Sequence, residues 1–317
     1  MMANSKVRNP APVVWLLTDN KPGHRNQLKG LGNRLRALAG ASLYEIDATK
    51  YRVPLWKAAL GKAVSLDASL PHPDLIIAAG SGTHRLLLSL RRLRKSRTVV
   101  LMKPAFPLGW VDAAIIPAHD EVTAGKRVLV TEGVINSITP LARITEKLEA
   151  LVLIGGPSPH YEFDADVVSG QLTQLISSYQ KWRWTIATSR RTPADVTDKL
   201  NDLSSPTVTL VTPEQTPDGW LSRQLAASRA VWVTPDSMSM VCEAITSGVP
   251  TGVSQLPDKG GSRVARGIRR LLENHRLASW SDHASVMGGK MAGTDNLWEA
   301  DRAARWLIER FLPESKR

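Results

Sequence analysis

The sequence predicts an α/β protein made of two doubly wound domains, and three observations predict it. The chain has 317 residues, about twice a typical single domain, so two domains of roughly 150 residues each are expected. Short apolar runs bounded by Gly, Pro and Asp recur along both halves and alternate with helical segments, the mark of buried parallel strands. The rhythm lapses once, in "TEGVINSITPLARITEK", which places the boundary near residues 136 to 150 and the domains at 1–140 and 141–317.

In the first domain the strand "VVWLL" (13–17) runs into "TDNKPGHRNQ" (18–27). Pro22 and Gly23 break the strand there, Gly23 tolerates angles closed to other residues, and a helix is expected from Asn26 and Gln27. A strand, a glycine turn and a helix in succession are where α/β proteins hold ligands. Further strands are expected at "DLIIAAG" (74–80), "TVVLM" (98–102) and "AAIIP" (113–117). The second domain repeats the pattern at "LVLIGG" (151–156), "WTIATS" (184–189), "TVTLV" (207–211), "AVWVT" (230–234) and "PTGV" (250–253). The last segment, 296–312, sets Leu297, Trp298, Ala300, Trp306, Leu307 and Phe311 largely on one side of a helix, which would dock on a domain.

Composition narrows the function classes. Hydrophobic content of 43% with 22% charged residues argues against extensive disorder. The single cysteine, Cys242, excludes an intrachain disulfide and a cysteine-based zinc site and suggests a reducing compartment. No apolar run approaches the roughly 18 residues of a membrane span, and "MMANSKVRNPAP" lacks the apolar centre of a signal peptide, so a cytoplasmic location is expected. The net charge of +12 is uneven: residues 1–140 hold 20 Lys and Arg against 9 Asp and Glu, and residues 141–317 hold 21 against 20. The halves therefore face different partners.

Four loops carry candidate chemistry. In "GGPSPH", Gly155 and Gly156 let the backbone approach a ligand and Ser158 can donate a hydrogen bond. "TSRRTPADV" sets Ser189, Arg190 and Arg191 before a helix whose first turn takes Pro193; arginine forks beside a helix start match a diphosphate. In "TPDSMSMVCEAITSGVPTGV", Asp236 or Ser237 can cap a helix whose amides face an anion, with Glu243 two turns inside, where a carboxylate can accept ribose hydroxyls. "GSGTHR" (80–85) begins like a dinucleotide fingerprint, but Arg85 takes the place of its third glycine and no acidic residue stands near position 102. A nicotinamide cofactor is not expected, nor is any other, and Gly80, Ser81 and Gly82 remain an amide-rich turn with His84 and Arg85 beside it. "DAD" at Asp164–Asp166 reads as acids in a helix first turn and not as a metal site, so no metal is expected.

The pattern of Ser237, Ser239, Glu243, Ala244, Gly248 and Pro250 resembles the donor site of GT-B glycosyltransferases. With "DNKPGHRNQ", "GSGTHR", "TEGVIN", "LIGGPS", "TSRRTP" and "PDSMSMVCEA", nearly the whole chain resembles the family of the plant mitochondrial fission factor named for elongated mitochondria, whose bacterial members are classed as glycosyltransferases by resemblance. The resemblance implies two Rossmann-like domains about a central cleft, acceptor on the first and nucleotide-sugar donor on the second, with the final helix crossing back. Carried over by position, Glu243 would hold the ribose, and Ser237, Met238 and Ser239 the phosphate end. Arg190 and Arg191 would neutralise the diphosphate, and Gly155, Gly156 and Ser158 would shape the wall. On the acceptor side, His24 would deprotonate a hydroxyl, with Asp19 the second candidate and Arg25 an anion contact; Lys21, Gly23, Ser81, Gly82, His84 and Arg85 would complete that side.

The basic first domain carries Arg91, Arg92, Arg94, Lys95 and Arg97 after a leucine-rich segment, and Arg52, Lys57 and Lys62 among the aromatics of "YRVPLWKAALGK". No module or aromatic stripe of a nucleic-acid binder accompanies them. An anionic membrane surface or a lipid-linked acceptor fits the one-sided excess, with a peripheral position on the inner face of the membrane. Three functions are compatible: a sugar transferase acting on a membrane-linked or envelope glycan, a noncatalytic adaptor that recruits a protein partner, as the plant member recruits a dynamin-related protein, and a nucleotide-sugar epimerase or hydrolase.

Overall fold

A computed structural model describes residues 11–289 and 297–312. The chain forms two compact units: the first ends at Ser137 and resumes at Glu299, and the second is Ile138–Trp298.

The first unit runs β1 (Val13–Thr18), α1 (Pro22–Ala39), β2 (Ser42–Asp47), α2 (Leu55–Leu60), β3 (Leu75–Ala79), α3 (His84–Leu90), β4 (Arg97–Leu101), β5 (Ala113–Pro117) and β6 (Val128–Thr131). All six strands are parallel, in the order β2-β1-β3-β4-β5-β6. β3 and β5 are buried along their whole length, as the continuous apolar runs require. β2, "SLYEID", and β6, "VLVT", were not anticipated; both lie at sheet edges, where partial exposure removes the uniform apolar signature.

The second unit runs β7 (Glu149–Leu153), α4 (Ala165–Ser178), β8 (Arg183–Ala187), α5 (Ala194–Asn201), β9 (Val208–Val211), α6 (Trp220–Ala227), β10 (Ala230–Val233), α7 (Met238–Ser247), β11 (Thr251–Val253), α8 (Arg263–Glu273) and α9 (His283–Met287). Its five parallel strands are ordered β11-β10-β7-β8-β9 around a core that includes Trp182, Trp184 and Trp232. Asp164 caps α4, accepting the N–H of Asp166 (2.7 Å) and of Val167 (3.1 Å), which accounts for the "DAD" acids.

The last helix, α10 (Glu299–Phe311), packs on α1, and Asp301 accepts from Nε of Arg34 at 2.9 Å. Its buried face is Ala300, Ala303, Ala304 and Leu307. Trp306 and Phe311, expected on that face, are only half-buried, because small alanines let the two helices approach and the large rings stay at the rim, Trp306 under Arg310 at 4.6 Å. Asn296 of the expected docking segment lies outside the described residues.

Candidate functional site

In each sheet the chain leaves its first strand one way and later returns to the other side of it. The first sheet reverses between β1 and β3 and the second between β7 and β10. Loops leaving the carboxyl ends of such a strand pair diverge, and the crevice between them is where open α/β sheets hold ligands.

At the first reversal the turn after β1 is built without glycine. Asn20 takes the left-handed conformation (φ 63), and its N–H donates to Oγ1 of Thr18 at 3.0 Å. Helix α1 begins at Pro22, four residues before the expected start, so Gly23 is helical and not a turn residue with special angles. Proline misled the sequence reading: it breaks a strand, yet its fixed φ suits the first position of a helix. His24 therefore stands in the first turn of α1, and its Nδ1 lies 2.7 Å from Oδ1 of the nearly buried Asp19.

Burial opposes ionisation of Asp19, but the hydrogen bond to His24, the N–H of Lys21 and the charges of His24 and Lys21 outweigh it and hold the carboxyl below its ordinary range. An ionised carboxylate only accepts, so Nδ1 carries a proton, and in the neutral ring the lone pair is on Nε2. Oδ2 of Asp19 is buried and finds no partner among the described residues.

Gly80, after β3, closes against this pair. It adopts φ +90, and a Cβ there would stand 2.2 Å from Nδ1 of His24 and 2.5 Å from Oδ2 of Asp19. Only glycine fits. His84 opens α3, edge-on to Phe106 at 5.0 Å between ring centres. Burial pushes its imidazole pKa down; the charge of Asp19 works against that shift and the charge of His24 with it. The first reversal thus gathers Asp19, His24, Gly80, Gly82 and His84, of which Gly82 is exposed, as are Ser81, Arg85 and Lys21. Arg25 is exposed and pairs with Glu45 of β2 at 3.3 Å, an ordinary surface ion pair.

At the second reversal the turn after β7 is pinned on both sides. The N–H of Gly155 donates to Oγ1 of Thr234 (2.8 Å) and that of Gly156 to Oδ2 of Asp236 (3.1 Å). Arg191, after β8, donates to the same Oδ2 at 2.6 Å and to the carbonyls of Gly156 and Pro157, each at 3.3 Å. A Cβ on Gly156 would lie 2.1 Å from the carbonyl oxygen of Arg191, so backbone meets backbone. Ser189 donates its hydroxyl to the carbonyl of Gly155 at 3.0 Å, and Arg190 is exposed. Oγ of Ser158 accepts the N–H of His160 (3.1 Å) and of Tyr161 (3.3 Å), so that oxygen fastens its own turn.

Asp236, read as a helix cap, is instead the buried partner of Arg191. Ser237 occupies the cap position of α7, yet its side chain makes no capping bond, which leaves the first amides of the helix without a side-chain acceptor. Met238 is buried, and Ser239 and Glu243 are half-buried on α7. Sequence reasoning missed the roles of Asp236 and Thr234. A Thr or Asp just past a strand is a common turn residue, and nothing in its spacing shows that it reaches a loop 80 positions away.

The model of the mitochondrial fission ELM1 family matches residues 22–311. The chain belongs to this family. An uncharacterised Rickettsia prowazekii protein is 22% identical over 312 residues, covering 82% of this chain and 88% of the relative. Among solved structures, S. aureus MnaA with UDP superposes with a TM-score of 0.60 at 12% identity, over 95% of this chain and 98% of that one. The Neisseria meningitidis UDP-GlcNAc 2-epimerase bound to UDP-GlcNAc gives 0.55 at 11%, over 95% and 99%. The kitacinnamycin glycosyltransferase gives 0.50 at 13%, over 96% and 100%. At this identity the likeness establishes the fold: two parallel-sheet Rossmann-like domains of the GT-B type. No group of three or more His, Cys, Asp or Glu among the described residues is arranged to hold a metal ion, and no described helix is long and apolar enough to cross a membrane.

Proposed function

We propose that this ELM1-family protein transfers a sugar from a nucleotide-sugar donor to a hydroxyl of a membrane-linked or envelope glycan acceptor. The observation that carries the reading is the Asp19–His24 pair at the reversal of the first sheet, with Gly80 pressed against it. A carboxylate that holds one imidazole nitrogen leaves the other to act as a general base when the ring is neutral. Nε2 of His24 takes the proton of the acceptor hydroxyl as its oxygen bonds to the anomeric carbon. The bond from that carbon to the diphosphate oxygen breaks, and the nucleoside diphosphate leaves with the electron pair. Developing negative charge meets the amides at the start of α7 and the exposed Arg190, and Glu243 accepts the ribose hydroxyls. Arg191, proposed from the sequence as a second diphosphate contact, is already neutralised by Asp236; in this reading it shapes the turn that the diphosphate meets.

The fold shared with UDP-GlcNAc 2-epimerases favours a second reading, in which the sugar is isomerised on the nucleotide. Calorimetry in EDTA against UDP, GDP, ADP, dTDP and CMP, and against their sugars, tests the donor site. At least one should bind, and Glu243→Ala should weaken it by about 1.5–3 kcal/mol, the worth of a hydrogen bond to a charged group. No binding at millimolar concentration would overturn both enzymatic readings in favour of an adaptor. Turnover of a nucleotide sugar without any acceptor, followed by proton NMR, would select the epimerase.

A further inference from the structure

Six large hydrophobic side chains are exposed among the described residues, and four of them belong to α2 and the nearby turn before β5 of the first unit. Leu55, Trp56 and Leu60 of α2 are 67%, 53% and 49% exposed, and Trp110, in the turn before β5, is 41% exposed. The other two, Leu148 and Val167, belong to the second unit and are only 36% and 39% exposed.

Arg91 joins the end of α2 to Trp110. Standing at the end of α3, it donates to the carbonyls of Ala58 and Ala59 at the end of α2, the latter at 2.6 Å, while its guanidinium stacks on the Trp110 ring at 5.1 Å. This position corrects the reading of Arg91 as one of five cations offered to an anionic membrane surface. Its charge is spent on carbonyls, and burial, with Arg92 beside it, lowers its pKa. Arg97 is likewise paired, with Asp112 at 3.1 Å. The ammonium groups of Lys57 and Lys62 lie 5.7 Å and 5.6 Å from the Trp56 ring centre, and side-chain carbons of Arg92 lie against Gly61.

Two tryptophans and two leucines with cations around them form neither a solvated face nor a core. Monomeric proteins place such patches where another phase or partner covers them. Indole rings favour the headgroup level of a bilayer, and Lys and Arg beside them meet lipid phosphates. We propose that α2 and the turn at Leu108–Trp110 are an interfacial foot that seats the first unit on an anionic lipid bilayer. Trp56, Leu55, Leu60 and Trp110 enter the headgroup region, and Lys57, Lys62 and Arg92 contact phosphates. Charge complementarity chooses the occupant: an apolar protein groove would not require cations on its rim. The foot is independent of the donor site, and Arg91 stands at the opposite end of α3 from His84, about 10 Å along that helix.

The test is sedimentation of the full chain with phosphatidylcholine vesicles and with vesicles half phosphatidylglycerol. Wild type should sediment with the anionic vesicles, and part of the binding should survive 0.5 M salt, since apolar contact is not screened. The double variant Leu55→Ser/Trp56→Ser should lower the vesicle partition constant at least tenfold, roughly, with unchanged circular dichroism and nucleotide affinity. Lys57→Glu/Lys62→Glu should abolish the preference for anionic lipid. Equal partition of the Leu55/Trp56 variant and wild type would overturn the proposal. So would binding to neither vesicle, and so would a concentration-dependent dimer that the double variant dissolves, which would make the patch a protein contact.

Discussion

The two sheet reversals solve the same topological problem with opposite chemistry. At β1/β3 a carboxylate and an imidazole are joined through Nδ1 and one ring nitrogen is left over. At β7/β10 a guanidinium and a carboxylate are joined through Oδ2 and cancel, and the amides of α7 are left over. In the proposed reading the first end supplies a proton acceptor and the second an anion contact, so that deprotonation and leaving-group stabilisation are assigned to different units.

The largest effect should come from breaking the first end alone. His24→Ala should slow transfer by roughly two to four orders of magnitude once an acceptor is in hand, because a general base contributes about that much. Nucleotide affinity, which the proposal assigns to the second unit, should stay at the wild-type value by calorimetry. A variant that turns over normally would return His24 to a structural part at the start of α1 and make Asp19 the next base to test. A variant that loses nucleotide affinity as well would show that the two ends are not separable.

A smaller effect should separate the adjacent arginines of the second end. Arg191→Ala leaves the fully buried carboxylate of Asp236 with the N–H of Gly156 and no cation, and should lower unfolding stability by about 1–3 kcal/mol, tempered by the partial exposure of Arg191. Arg190→Ala touches no such pair and should change stability within about 0.5 kcal/mol while weakening diphosphate binding. Urea midpoints and calorimetry on both variants decide it. Equal losses of stability would refute the assignment of Arg191 as the clamp and Arg190 as the ligand.

Which of these features could be read from the sequence follows from their range. The strands β1, β3, β4, β5 and β7 to β11 announce themselves because a buried parallel strand is a local apolar run, whereas β2 and β6 lie at edges and lack it. His24 was legible as a histidine in a loop after a strand. Its tie to Asp19 was not, because the expected helix start at Asn26 put His24 in a turn and left its direction open. Gly80 was legible as one of the glycines of an amide-rich turn, but its reason, the absence of room for a Cβ beside His24, lies 56 residues away in the chain. Arg191 and Asp236 were both noticed as separate local features, a cation and a helix cap, and local reading hid their long-range pair. The patch around Trp56 was legible as cations among aromatics but not as an exposed surface, since exposure of tryptophan is not a property of sequence spacing.

The smallest effect concerns His84, which sharpens the comparison because it stands beside the proton site. Burial holds its pKa below the ordinary 6.5, so the unfolded chain takes up a proton at a higher pH than the folded one. The stability that follows from keeping the ring neutral is fully present above about pH 6.5 and is lost as pH falls toward the lowered folded value. His84→Gln removes this titration and should flatten the fall in urea midpoint between pH 7.5 and pH 5. Asp19 and His24 remain in the variant, so any residual slope belongs to that pair and to the other carboxylates. If wild type and His84→Gln lose stability in parallel over this range, His84 is not held neutral by its surroundings. The ring would then be free to take a proton beside Asp19, and the general base would have to be sought between His24 and His84 and not at His24 alone.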